Sequence, residues 1–163
     1  MKSLTLSALV VSLAVGGLTS GAQAQAQQAK KLFFEGDIVR HALANQAGPF
    51  CVLANQYKRK EAVAFRIRVM MPNGTIADDK VIKGVVVELG NGMKLPAGYK
   101  PHGTPPTDHF WSLFWTIPED FPTGTVGYKV IATMNDGSEV TWEPFNRATT
   151  QLMVVAGEPA MKQ

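Results

Sequence analysis

The sequence predicts an all-β protein, an antiparallel β-sandwich, and three observations carry that prediction. Gly and Pro are abundant, at 15 and 10 of 163 residues, which suits short strands joined by many turns and would break helices. Two-residue alternation is clear where Val63, Phe65, Ile67 and Val69 interleave with Ala64, Arg66, Arg68 and Met70, the pattern of a strand with one wet face. Turn chemistry recurs at Pro72-Asn73-Gly74, Gly90-Asn91-Gly92 and Asn135-Asp136-Gly137, where Asx-Gly pairs supply positive φ. With 45% hydrophobic residues and a formal charge of +3, the chain can bury one core and lacks the self-repulsion that keeps disordered chains open.

The amino end reads as an export signal. Met1-Lys2-Ser3 is a short positive start, Leu4 to Leu18 is apolar or small, and Ala22-Gln23-Ala24 offers small residues for cleavage. A signal peptide over residues 1–24 is expected, with an overlapping cleavage site at Ala24-Gln25-Ala26. The apolar run falls short of the roughly 20 residues a spanning helix needs, and no Cys follows it for lipid attachment. A periplasmic or secreted product without a membrane anchor is the expectation. Removing 24 of the 163 residues leaves 139, and the loss of Lys2 lowers the charge from +3 to +2. A nucleic-acid binder concentrates cations on one face, whereas the densest group here, Lys58-Arg59-Lys60, is followed by Glu61 and reads as a solvated turn.

From Gln25 to Lys31 nothing is available to bury, and a flexible lead-in is expected. Leu32-Phe33-Phe34 reads as a strand stopped by Glu35-Gly36-Asp37, with Ile38-Val39 as a second short stretch and residues 40–50 as loop. Cys51 to Tyr57 reads as extended and Lys58 to Glu61 as a reversal into the alternating strand Ala62 to Val69. Gly84 to Leu89 places Val85, Val87 and Leu89 inward, and Gly90-Asn91-Gly92 turns it into Met93-Lys94-Leu95. Pro96 to Asp108 has no evident apolar period and reads as a long surface loop. His109 to Ile117 is a strand with Trp111, Leu113, Trp115 and Ile117 on one face and Phe110 and Phe114 on the other. A corner at Phe121 to Gly124 leads to a strand Thr125 to Thr133, a hairpin partner Glu139 to Phe145, a last strand Gln151 to Val155 and a polar tail over 157–163. About eight strands over residues 32–156, with no helix after the leader, make one sandwich domain.

The order of Ala62 to Val69, Pro72-Asn73-Gly74, Gly84 to Leu89, Trp111 to Pro118, Pro122 to Tyr128 and Asn135-Asp136-Gly137 resembles bacterial secreted immunoglobulin-like or fibronectin-III-like domains over about residues 62–155. The corner and hairpin from Pro122 to Gly137 carry most of the likeness. Val126 stands where the corner Tyr of such domains is usual, and Tyr128 where an antibody-type Cys would be. The resemblance implies an immunoglobulin-like β-sandwich, a scaffold that hosts many functions and by itself implies no activity.

Candidate chemistry is sparse. The single cysteine, Cys51, must in an oxidising compartment be buried, bound or bridged to another chain. Thiolate, imidazole and thioether suit copper or zinc, so Cys51 with His41, His102, His109 and Met93, or with Met70 or Met71, forms a candidate metal set. No local ligand pair fixes two of them together. Covalent haem would need Cys-x-x-Cys-His, which is absent, leaving non-covalent haem open. No Gly-x-Ser-x-Gly occurs, only Ser112 and Ser138 follow the leader, and Asp78-Asp79 and Glu119-Asp120 fall in turns, where carboxylates cap or solvate. A thiol activity of Cys51 with His41 or His102 would require an exposed, low-pKa thiolate. The aromatic block Phe110, Trp111, Phe114 and Trp115 is a candidate partner surface, because alternation cannot send all four into one core. The expectation is a non-enzymatic binding module docking to another exported protein, such as a redox protein; the rival is a small copper, zinc or haem protein for electron transfer or metal carriage.

Overall fold

The computed structural model describes residues 31–41, 52–145 and 152–156. The expected leader, Cys51 and the tail at 157–163 lie outside these residues. The described chain is all-β and contains no helix.

Among the described residues, eleven strands make up two sheets. They are β1 (Phe33–His41), β2 (Val52–Leu53), β3 (Gln56–Lys58), β4 (Ala62–Met70), β5 (Ile82–Leu89), β6 (Lys94–His102), β7 (Asp108–Thr116), β8 (Gly124–Val126), β9 (Tyr128–Met134), β10 (Glu139–Trp142) and β11 (Leu152–Val155). Eight form one sheet in the order β10-β9-β5-β6-β7-β4-β1-β2, and three form a small sheet β3-β11-β8. Every pairing is antiparallel except β3 with β11.

The hairpin turns follow the sequence closely. Asn91 Oδ1 accepts a hydrogen bond from Met93 N at 3.1 Å, and Asp136 Oδ1 accepts one from Ser138 N at 2.8 Å. The following Gly92 and Gly137 both adopt φ of +84°, which glycine reaches without strain.

Two expected interruptions are strand instead. Glu35-Gly36-Asp37 does not stop the first strand: β1 is continuous, because Asp37 pairs with Arg66 and Glu35 with Arg68 across the ladder to β4. Pro96 to His102, expected as loop, belongs to β6. Lys94 to Ala97 pair with β5, whereas Gly98 to His102 pair with β7. Each half of β6 therefore has a ladder on one side only, and a residue without an N–H is tolerated at such an edge. Leu95, Ala97 and Tyr99 pack toward the core, an alternation obscured by the intervening Pro96 and Gly98. Loop is observed from Gly103 to Thr107.

Because β6 passes from one half of the eight-stranded sheet to the other, the sheet curls into a half-barrel. Its concave face holds the core. Val63, Phe65, Ile67 and Val69 of β4 meet Val85, Val87 and Leu89 of β5, Trp111 and Leu113 of β7 and Val130 of β9. Tyr57, Leu152 and Val154 extend the core from the small sheet. Burial of each large side chain contributes roughly 1.5–3 kcal/mol against backbone ordering.

Candidate functional site

Curling brings strand β10, at one end of the long sheet, back toward β1 near the other. No ladder joins them. The Trp142 ring stacks on Phe34 at 6.2 Å and 12° and lies against the backbone of Gly36, where an added Cβ would stand 3.0 Å from its Cη2 and Cζ3. Past that contact the barrel stays open, and a cleft of about 620 Å³ enters between β1, β2 and the end of β10. Its walls include Gly36 and Ile38 of β1, Leu53 of β2, Tyr128 at the start of β9, and Trp142, Glu143 and Phe145. That volume falls in the usual range for small-molecule sites.

The rim of the cleft is apolar. Leu53 is 67% and Phe145 82% exposed. Asp37 and Glu143 are the charged residues among its described lining, and both are acidic. Arg66 holds Asp37 through two hydrogen bonds, from Nε at 2.7 Å and from Nη2 at 2.5 Å, so that charge is largely balanced. Glu143 is exposed and makes no ion pair among the described residues. A second hollow of about 420 Å³ adjoins the first and shares Tyr128, Glu143 and Pro144 with it. There Glu88 is held below the usual carboxylate range, chiefly by its hydrogen bond from Lys129. The Tyr128 ring meets Phe65 edge-on at 5.2 Å, and burial, aided by the charge of Asp37, pushes its phenol up to about 12.

The aromatic block of β7 divides between two environments. Trp111 and Trp115 are core residues, 4% and 9% exposed, and are not available as a docking surface. The Trp111 indole donates to the Ala77 carbonyl at 3.3 Å, and Trp115 packs edge-on against Phe121 at 5.0 Å. Phe110 and Phe114 lie on the outer face. Pro96 to His102 contributes β6 beside β7 rather than a lid over these rings, and Phe114 is 57% exposed.

The three histidines of the candidate metal set each lie against a different aromatic ring. His41 lies against Phe114 at 4.5 Å, His102 against Phe110 at 4.9 Å, and His109 against Tyr99 at 5.8 Å. Met93 and Met71 pack against the core. Among the described residues no group of three His, Cys, Asp or Glu side chains could hold a metal ion, and Cys51 lies outside them. Asp78 caps its own turn by accepting from Lys80 N at 3.0 Å, and Glu119 pairs with Lys60.

The residues that build the cleft were not singled out by sequence reasoning. One signal was available: an isolated glycine within a strand, such as Gly36, marks a close approach by another group. Its partner, Trp142, lies far along the chain and is brought to it by the curl. No family model, curated protein or solved structure matches this chain.

Proposed function

We propose that this chain is an exported, non-enzymatic binding module whose recognition site is the cleft between β1, β2 and β10, on an immunoglobulin-like sandwich scaffold. The observation that carries the reading is a concave, ring-lined opening with an exposed apolar rim, formed where the long sheet fails to close. Monomeric proteins expose such apolar surface where they bind something. The scaffold reading is supported by β6, which changes partner between Ala97 and Gly98 as corner strands of packed sheets do. In this reading Leu53 and Phe145 form the contact with another exported protein, and the cleft takes a small group. The export reading rests on the leader-like residues 1–24.

The test is an amide-resolved NMR titration with a panel of small apolar and polar solutes. Saturable shifts at Gly36, Leu53 and Trp142, weakened by Leu53→Asp, are expected. A panel that moves no resonance around the cleft would refute the reading.

A further inference from the structure

We propose that the cleft selects an organic cation, a small alkylammonium ion, an assignment that rests on the cleft being the recognition site. Charge and ring chemistry carry the choice. The charged residues among the described lining are Asp37 and Glu143, both acidic. Arg66 balances Asp37, and Lys129 and Lys94 balance Glu88 in the neighbouring hollow. Glu143 borders both hollows and is the carboxylate left without an ion pair among the described residues. Trp142, Tyr128 and Phe145 line the same space. Aromatic rings attract cations electrostatically, most strongly when the cation is weakly hydrated, and such rings beside a carboxylate recognise alkylated ammonium groups. An anion would meet the negative charge of Glu143, and a neutral apolar ligand would gain nothing from it. The cleft volume accommodates a small free ion, so a free alkylammonium ion is the occupant assigned.

Three probes on the full-length chain test this by NMR titration: choline, its uncharged isostere 3,3-dimethylbutan-1-ol, and a trilysine peptide. Choline should shift Gly36, Trp142 and the Trp142 indole N–H saturably, binding about fivefold or more tightly than the isostere. Its affinity should fall with added salt. Glu143→Gln, a change at an exposed position, should bring choline and the isostere to within about twofold, and Trp142→Phe should weaken both while thermal melting confirms the fold. Equal binding of choline and the isostere, or unchanged choline binding in Glu143→Gln, overturns the cation assignment and leaves the cleft a recognition site. Tighter binding of trilysine than of choline overturns the free ion in favour of a lysine side chain. No response from either small probe overturns the assignment, and the solute panel then decides separately whether the cleft binds at all.

Discussion

A β-carbon added at Gly36 would stand 3.0 Å from two atoms of the Trp142 ring, closer than carbon atoms pack at rest. Gly36→Val must therefore displace the indole that joins the two ends of the long sheet. Overpacking of this kind costs about 1–3 kcal/mol, less where a half-exposed ring can swing aside, as Trp142 can. A loss of about 1 kcal/mol in urea unfolding is expected, with a red-shifted tryptophan emission as the ring meets water. Unchanged emission would mean that the contact does not hold the ring. Phe65 provides the contrasting case on the same concave face. It is 1% exposed, packs edge-on against Tyr128 and has no solvent to relax into. Phe65→Ala should cost about 3–5 kcal/mol, read as a large fall in the urea midpoint followed by circular dichroism.

At the scale of the element, the reversal between β3 and β4 is made by Lys60, the non-glycine residue with positive φ among those described, at 69°. That conformation costs a side-chain-bearing residue about 1 kcal/mol or more, while its N–H donates to the Ile117 carbonyl at 2.8 Å. Lys60→Gly keeps the backbone bond, relieves the strain and gives back part of the gain as unfolded-state entropy. The ion pair to Glu119 is exposed on both sides and adds little. A net stabilisation of about 0.5 kcal/mol is expected in thermal melts, and destabilisation would show the turn to be unstrained. This reversal, like the Asx-Gly hairpins, was legible in the sequence because its chemistry is local. So was the alternation of β4. The partners of β6 were not, since Pro96 and Pro101 read as breakers until the two half-ladders show each proline at an edge. Nor was the continuity of β1, whose Glu35 and Asp37 are settled by Arg68 and Arg66 on another strand. The cleft is the extreme case: Gly36 and Trp142 meet only through the curl of the entire sheet.

Over the whole molecule, the open side of the half-barrel is backed by two buried phenols, and their protonation couples solution pH to the fold. Burial raises Tyr57 well above the ordinary phenol value of 10, outweighing the opposing pull of the Arg40 guanidinium over its ring. Its hydroxyl donates to the Ala54 carbonyl at 3.2 Å, a bond that ionisation abolishes. Tyr128 is pushed to about 12 by burial and, secondarily, by the charge of Asp37. In the unfolded chain both phenols lose their protons near 10, while the folded protein keeps them to higher pH. Above 10 the unfolded state therefore binds fewer protons, so stability is fully present below that value and declines as pH rises. The slope is about 1.4 kcal/mol per pH unit for each phenol held protonated, and for Tyr128 the loss runs from about pH 10 to about 12. Urea midpoints measured at half-unit steps from pH 8 to 12 should be level at first and then fall. Tyr128→Phe should remove about one phenol's share of that fall, whatever its effect on stability at pH 8. Parallel pH curves for the native chain and Tyr128→Phe would show that the open side of the half-barrel admits enough water to solvate the phenolate.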